Sequence, residues 1–249
     1  MQGAILCAIV MKRQDPSVQE ILRELVAELG PSDPRVIEFG LTQSDEAVSH
    51  FVASLLADSS LASMSIRRAL WLLPLFPTET LRTQLLRTLT ARPEFAHIAG
   101  WELRKLKDPS LIQELGSVLL DLTVAPESRA EAAGVLGELG DPKGKDFLIR
   151  AMRTKEQEPL VVRKAALGLG YLQLLEGSTD AVDELSNLLT SSFPEVRLAA
   201  LNALSNMWAT QAIDKVEALL GDAGITASGE HVGARAAVVS RLLRGARSD

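Results

Sequence analysis

The sequence predicts an all-α protein: a right-handed α-α superhelix in which about 13–14 helices stack as six to seven pairs. Three observations predict it. Prolines recur at a fixed interval, apolar residues between them follow helical spacing, and Leu and Ala rather than aromatics supply the hydrophobic residues. Of 249 residues 47% are hydrophobic but only 4% are aromatic, so the core must be aliphatic. That favours helices over strands, which lean on aromatic and β-branched side chains.

The prolines set the repeat. Pro93, Pro126, Pro159 and Pro194 stand 33, 33 and 35 residues apart, and Pro77, Pro109 and Pro142 stand 32 and 33 apart. The two ladders interleave, so each period contains two helix starts. Proline suits the first helical position because its missing N–H would have no intrahelical partner there.

Residues 1–14 read as a possible extension: residues 1–10 lie upstream of Met11-Lys12-Arg13, which reads as the start, or form a short first element on the end of the array. The apolar run from Gly3 to Met11 lacks the basic flank of a secretion signal. Residues 15–60 read as an irregular N-terminal cap. Asp15-Pro16 and Asp33-Pro34 there, like Asp108-Pro109 and Asp141-Pro142 later, place an N-cap aspartate before a first-turn proline. Residues 65–220 form the regular array, in which Pro74, late in an apolar run, is expected to end a helix early.

First-helix stripes are Leu81, Leu85, Leu86 and Leu89; Ile112, Leu115, Val118, Leu119 and Leu122; Phe147, Leu148, Ala151 and Met152; Val182, Leu185, Leu188 and Leu189; and Ile213, Val216, Leu219 and Leu220. The helices between are richer in alanine (Ala132, Ala133 and Leu136; Ala165, Ala166 and Leu169; Ala199, Ala200 and Leu204), which lets neighbours approach closely. Gly140 reads as a C-cap, Gly221 to Gly233 as a glycine-rich loop, and residues 232–245 as a closing helix. The whole is expected to be one domain, 1–249, because each pair touches only its neighbours.

Two segments carry a family resemblance. Val162-Arg163-Lys164-Ala165-Ala166 and Val196-Arg197-Leu198-Ala199-Ala200 resemble the Val-Arg-x-Ala-Ala opening of the second helix of a HEAT repeat. Arg129 to Pro142 resembles the short bacterial subtype named after phycobilisome lyases. The resemblance covers roughly residues 65–220 and departs from the pattern where an aspartate usually stands six residues before the arginine; Gln157 and Ser191 are there instead, which argues against an Asp–Arg ladder between repeats. The family spans scaffolds, lyases and repair enzymes, so the resemblance implies a fold rather than an activity.

Little in the sequence points to chemistry. His50, His97 and His231 are not followed by glutamate and lack a second histidine at ligand spacing, and the single cysteine, Cys7, excludes an intrachain disulfide and a Cys-rich zinc site. Gly134, Gly137 and Gly140 recur every three residues inside a helix rather than after a strand, and Gly140 to Lys145 lacks the spacing of a phosphate loop. No cofactor or metal is expected. No apolar run reaches the length of a membrane span, and the lone cysteine fits a reducing, cytoplasmic setting. The net charge of −6 opposes nonspecific nucleic-acid binding.

One feature suggests a surface. Arg163 or Lys164, Leu167 and Tyr171 share a helix face, as do Arg197, Leu201, Ser205 and Trp208. Arg67, Arg68 and Trp71 come from an earlier helix, and Trp101, Arg104 and Lys105 from another. In HEAT arrays second helices line the concave side, so these residues would form a basic face with aromatic interruptions. The alternative is structural: a first-turn cation opposes the helix dipole, so Arg163 and Arg197 would seek local partners, with Glu158 and Glu195 as candidates. Tryptophans such as Trp71 and Trp101 pack in cores more often than they face partners.

The expected function is a non-catalytic protein-binding scaffold or adaptor using the concave face. The resemblance also admits a HEAT-like DNA alkylpurine glycosylase, or a bilin lyase or pigment-protein chaperone.

Overall fold

In a computed structural model the described residues are 78–154, 158–172 and 179–247. Before residue 78 they are 20, 24, 25, 27–30, 33, 35, 51–56, 58, 66 and 69. The chain divides into two compact units, Met1–Thr88 and Leu89–Asp249.

In the first unit residues 51–56 are helical, and Leu25, Phe51, Val52, Leu55, Ile66 and Ala69 are buried. The Asp33 carboxylate accepts the Arg35 backbone N–H at 2.9 Å, as an N-cap before proline should. The Arg35 guanidinium bridges Asp33 and Asp58, at 2.7 Å to each. The expectations for Cys7, Asp15-Pro16, His50, Pro74 and Pro77 fall outside the described residues. Helix α1, Thr78–Ala91, buries Leu81, Leu85 and Leu89 as the stripe requires.

The second unit is an all-α solenoid. A 3-10 turn at Pro93–Phe95 leads into α2, Ala96–Leu106, and another at Pro109–Leu111 leads into α3, Ile112–Leu120. Then come α4, Pro126–Leu139; α5, Lys143–Arg153; α6, Pro159–Tyr171; α7, Thr179–Leu188; and α8, Pro194–Asn206. A turn at Thr210–Ala212 opens α9, Ile213–Glu217, and α10, Val232–Arg247, closes the unit. Pro126, Pro159 and Pro194 each stand at the first helical position. Asp108 and Asp141 cap as read, accepting the N–H groups of Ser110 and Lys143, both at 2.9 Å.

The layering follows from this alternation. The second helices α2, α4, α6, α8 and α10 pack each on the next, and α3, α5 and α7 form a second row. Within pairs, α3 packs on α4, α5 on α6, α7 on α8 and α9 on α10. Small residues set the inner spacing. A side chain at Gly137 would collide with the backbone of Gly168, and one at Gly170 would come within 2.7 Å of the Ala203 Cα. Gly137→Ala gains about 1 kcal/mol of helix propensity but overpacks the α4–α6 contact by about 3 kcal/mol. A net loss of stability in urea unfolding is therefore expected; a gain would show that the two helices separate freely.

The apolar stripes hold within the helices and fail beyond their ends. Leu122 and Leu220 were expected in the stripes but are 48% and 51% exposed. Asp121 leaves the helix in an extended conformation, and α9 stops at Glu217, so both leucines lie past the last turn that could turn them inward.

Candidate protein-binding surface

Arg104, on α2, and Lys164, on α6, meet over a residue of the helix between them. Glu131 of α4 accepts Arg104 Nη2 at 2.8 Å on one oxygen and Lys164 Nζ at 3.1 Å on the other. His97 Nδ1 lies 3.6 Å away, and Glu138 is 3.0 Å from Arg104 Nε. Gly134 makes room for this, since the Arg104 guanidinium lies where its side chain would project. Gly134 is thus a bed for a cation, while Gly137 does the close packing and Gly140 caps the helix at φ 71°. Burial works to raise the Glu131 pKa, but the charges and hydrogen bonds of Lys164 and Arg104 outweigh it and hold the carboxyl below its ordinary value.

Arg197 is committed elsewhere. Its guanidinium donates to the Ser191 carbonyl at 2.6 Å and to Asp222 at 2.9 Å. Asp222 also accepts the Gly224 N–H at 2.6 Å. Burial opposes ionisation of Asp222, and the Arg197 and Gly224 donors overcome it, so its pKa is lowered. Glu195 accepts the Ala227 N–H at 2.9 Å, which with its own backbone N–H lowers its pKa; the charges of Arg163 and Arg197 add to this. The loop after α9 is thereby pinned to the start of α8, with Ile225 and His231 bridging across it. Of the two partners expected for these arginines, Glu195 lies in the field of both, whereas Glu158 is taken by Arg129. Replacing Arg197 with Ala is expected to cost about 2 kcal/mol and to speed amide exchange at Gly224 and Ala227. Unchanged exchange at both would show that the loop holds itself.

Three aromatic side chains of the expected stripe are on the surface. Trp101 is 55% exposed, Tyr171 52% and Trp208 60%. For Trp101 this corrects the core expectation: it lies in line with His97 and Lys105 on the exposed side of α2, and Lys105 Nζ sits 5.7 Å from its ring centroid. Tyr171 ends α6, and Trp208 follows the end of the neighbouring α8. Arg163 is half-buried beside Glu195. Arg67, Arg68 and Trp71 lie outside the described residues.

A protein-family profile described as HEAT repeats matches residues 78–170 and 154–226, more than half of the sequence. The chain belongs to the HEAT-repeat family. Among solved structures it is similar to an engineered protein, at 19% identity over 96% of this chain and 77% of that one, with a TM-score of 0.49. A second engineered protein shows 19% identity over 97% and 95%, with a TM-score of 0.43. Kap121p shows 15% identity over 94% of this chain and 30% of its own, with a TM-score of 0.43. No curated protein matches the chain.

The HEAT repeat explains what the sequence reading missed. A ladder of acid–base pairs between repeats exists, although the aspartate of the usual pattern is absent. Arg129, only 1% exposed, pairs with Glu158, 29 residues on. Lys145 and Arg153 of α5 reach Asp180 and Glu184 of α7, 35 and 31 residues on. Residues one repeat apart in sequence are neighbours in space, so the repeat interval joins Glu131 to Lys164, 33 residues on, whereas Arg104, 27 residues before Glu131, falls short of it. Among the described residues no His/Cys/Asp/Glu group of three could hold a metal, and no helix is long and apolar enough to cross a membrane.

Proposed function

We propose that this HEAT protein is a non-catalytic scaffold or adaptor that binds another protein along the face formed by its second helices, the concave side in arrays of this kind. The supporting observation is the exposure of Trp101, Tyr171 and Trp208, each more than half accessible to solvent. Large aromatics with few rotors dominate the energy of protein interfaces, and a folded chain gains little by leaving them in water. The second-helix cations support a protein rather than a polyphosphate ligand. Arg104 and Lys164 share Glu131, Arg197 holds Asp222 and Arg129 holds Glu158, so phosphates would have to displace bound carboxylates.

Affinity capture from a cell lysate with identification by mass spectrometry tests the reading. A protein retained in stoichiometric amount by the unaltered chain and lost with Tyr171→Ser supports it. Equal retention by both overturns it, as would tight binding to abasic-site duplex DNA that weakens steeply with salt.

A further inference from the structure

The closing helix α10 is apolar on two faces. Val232, Ala236, Val239 and Leu243 are fully buried, while Val238 and Leu242, four residues apart on the other side, are 37% and 44% exposed. The exposed ridge continues through Ala234 to Gly245, small residues that leave space beside it. These four buried positions match four of α6 and its C-cap (Val161, Ala165, Gly168 and Leu172) at a constant offset of 71 residues. That register places Val238 and Leu242 where α6 carries Leu167 and Tyr171, and Arg235 where it carries Lys164. The apolar ridge of α10 therefore belongs to the same face of the second-helix layer as the exposed Tyr171.

Charge says what the ridge fits. The sequence of α10 contains four arginines and no carboxylate. Together α6, α8 and α10 carry seven Lys or Arg against one carboxylate, Glu195, in a protein whose net charge is −6. Three of the seven are matched from other helices or loops, Lys164 by Glu131, Arg197 by Asp222 and Arg244 by Glu217. Arg241 stands exposed beside Leu242. Apolar side chains at a spacing of four with cations alongside are complementary to a helix that has apolar residues at the same spacing and carboxylates flanking them.

From this we infer that α10 and the adjoining second-helix face dock an acidic amphipathic helix of a partner protein, Val238 and Leu242 seating its apolar side chains and Arg241 pairing with its carboxylates. A membrane-inserting helix would want bulky apolar residues along the ridge; Ala234 and Gly245 instead permit close approach of a second helix, as Gly137 and Gly168 do inside the array. The inference rests on the proposed protein-binding role and adds the chemistry of the partner.

The test uses the full chain and a fluorescent synthetic helix with leucine at every fourth position and glutamate between, read by anisotropy. A matched helix with lysine in place of glutamate and vesicles of anionic phospholipid serve as rivals. The acidic helix is expected to bind at micromolar concentration, with at least tenfold weaker binding to V238S/L242S and to R241E. Equal binding of the lysine helix, indifference to these substitutions, no binding of the acidic helix, or binding to vesicles alone overturns the inference. The two proposals fail separately. A captured protein lost with Tyr171→Ser but retained by V238S/L242S leaves the scaffold reading standing and removes α10 from it.

Discussion

Replacing Glu131 with Leu is expected to destabilise the protein by about 3 kcal/mol, the scale on which removing one partner leaves a buried charge uncompensated. The Glu131 and Arg104 side chains are 9% and 10% exposed, and Lys164 approaches from the opposite repeat. Without the carboxylate, two cations face each other across α4, and Glu138 is left to hold Arg104 alone. The effect should depend on pH in one direction. Because the folded pKa of Glu131 lies below the ordinary 4.5, its contribution is fully present above that value and is lost as pH falls through the folded pKa. The gap between the unaltered protein and E131L in urea unfolding should therefore be widest near neutrality and shrink in acid. The triple variant R104L/E131L/K164L should recover most of the loss, since an apolar set of similar volume removes the desolvation cost along with the attraction. A single variant as stable as the parent would show that the bridge only decorates the surface. A triple variant no better than the single one would place the loss in packing instead.

At the other end of the unit Glu217 makes a related contact under different conditions. Hydrogen bonds from Arg244 and then Ser240 lower its pKa to about 2. The tie between α9 and α10 is therefore retained in acid down to about that value, well past the pH at which an ordinary carboxylate of pKa 4.5 becomes protonated.

These contacts mark what the sequence could and could not disclose. The helix starts were legible because a proline at the first helical turn is a local requirement, met at Pro126, Pro159 and Pro194 whatever the rest of the chain does. The Leu and Ala stripes were legible because burial repeats with the turn of the helix. Leu122 and Leu220 misled because periodicity does not announce where a helix stops. Arg104 and Lys164 do meet, yet Glu131, which neutralises them, sits in an alanine-rich segment that reads as core. The pairing of Arg197 with Asp222 needed a fold in the loop after α9 that depends on Gly224 and on Thr226 accepting the Glu230 N–H, details of turn chemistry that helical spacing cannot supply. Exposure of Trp101 was misjudged because one helix face alone does not reveal what covers it.

Trp208 should separate stability from function by sign. Its backbone φ is +51°, in the left-handed region, and it stands one residue past the C-cap Met207 of α8: its N–H donates to the Ser205 carbonyl at 3.1 Å and the next N–H, of Ala209, to the Leu204 carbonyl at 3.0 Å. Glycine is the usual occupant of such a position, and a side chain there costs about 1–2 kcal/mol. The indole returns little in burial, being 60% exposed. Trp208→Gly is therefore expected to raise stability by about 1 kcal/mol, part of the relieved strain being offset by the greater backbone freedom of unfolded glycine. If the indole is an anchor for the partner, the same substitution should weaken its binding by about 2 kcal/mol, roughly thirtyfold. Trp208→Ala keeps the strain, so its stability should stay within about 0.5 kcal/mol of the parent while binding falls equally. Urea unfolding beside a titration of the captured partner reads both quantities. A destabilised Trp208→Gly would mean that the indole supports the fold and that its exposure does not mark an interface. A stabilised variant that still binds at full strength would leave the strain at this position without a functional return and remove Trp208 from the binding surface.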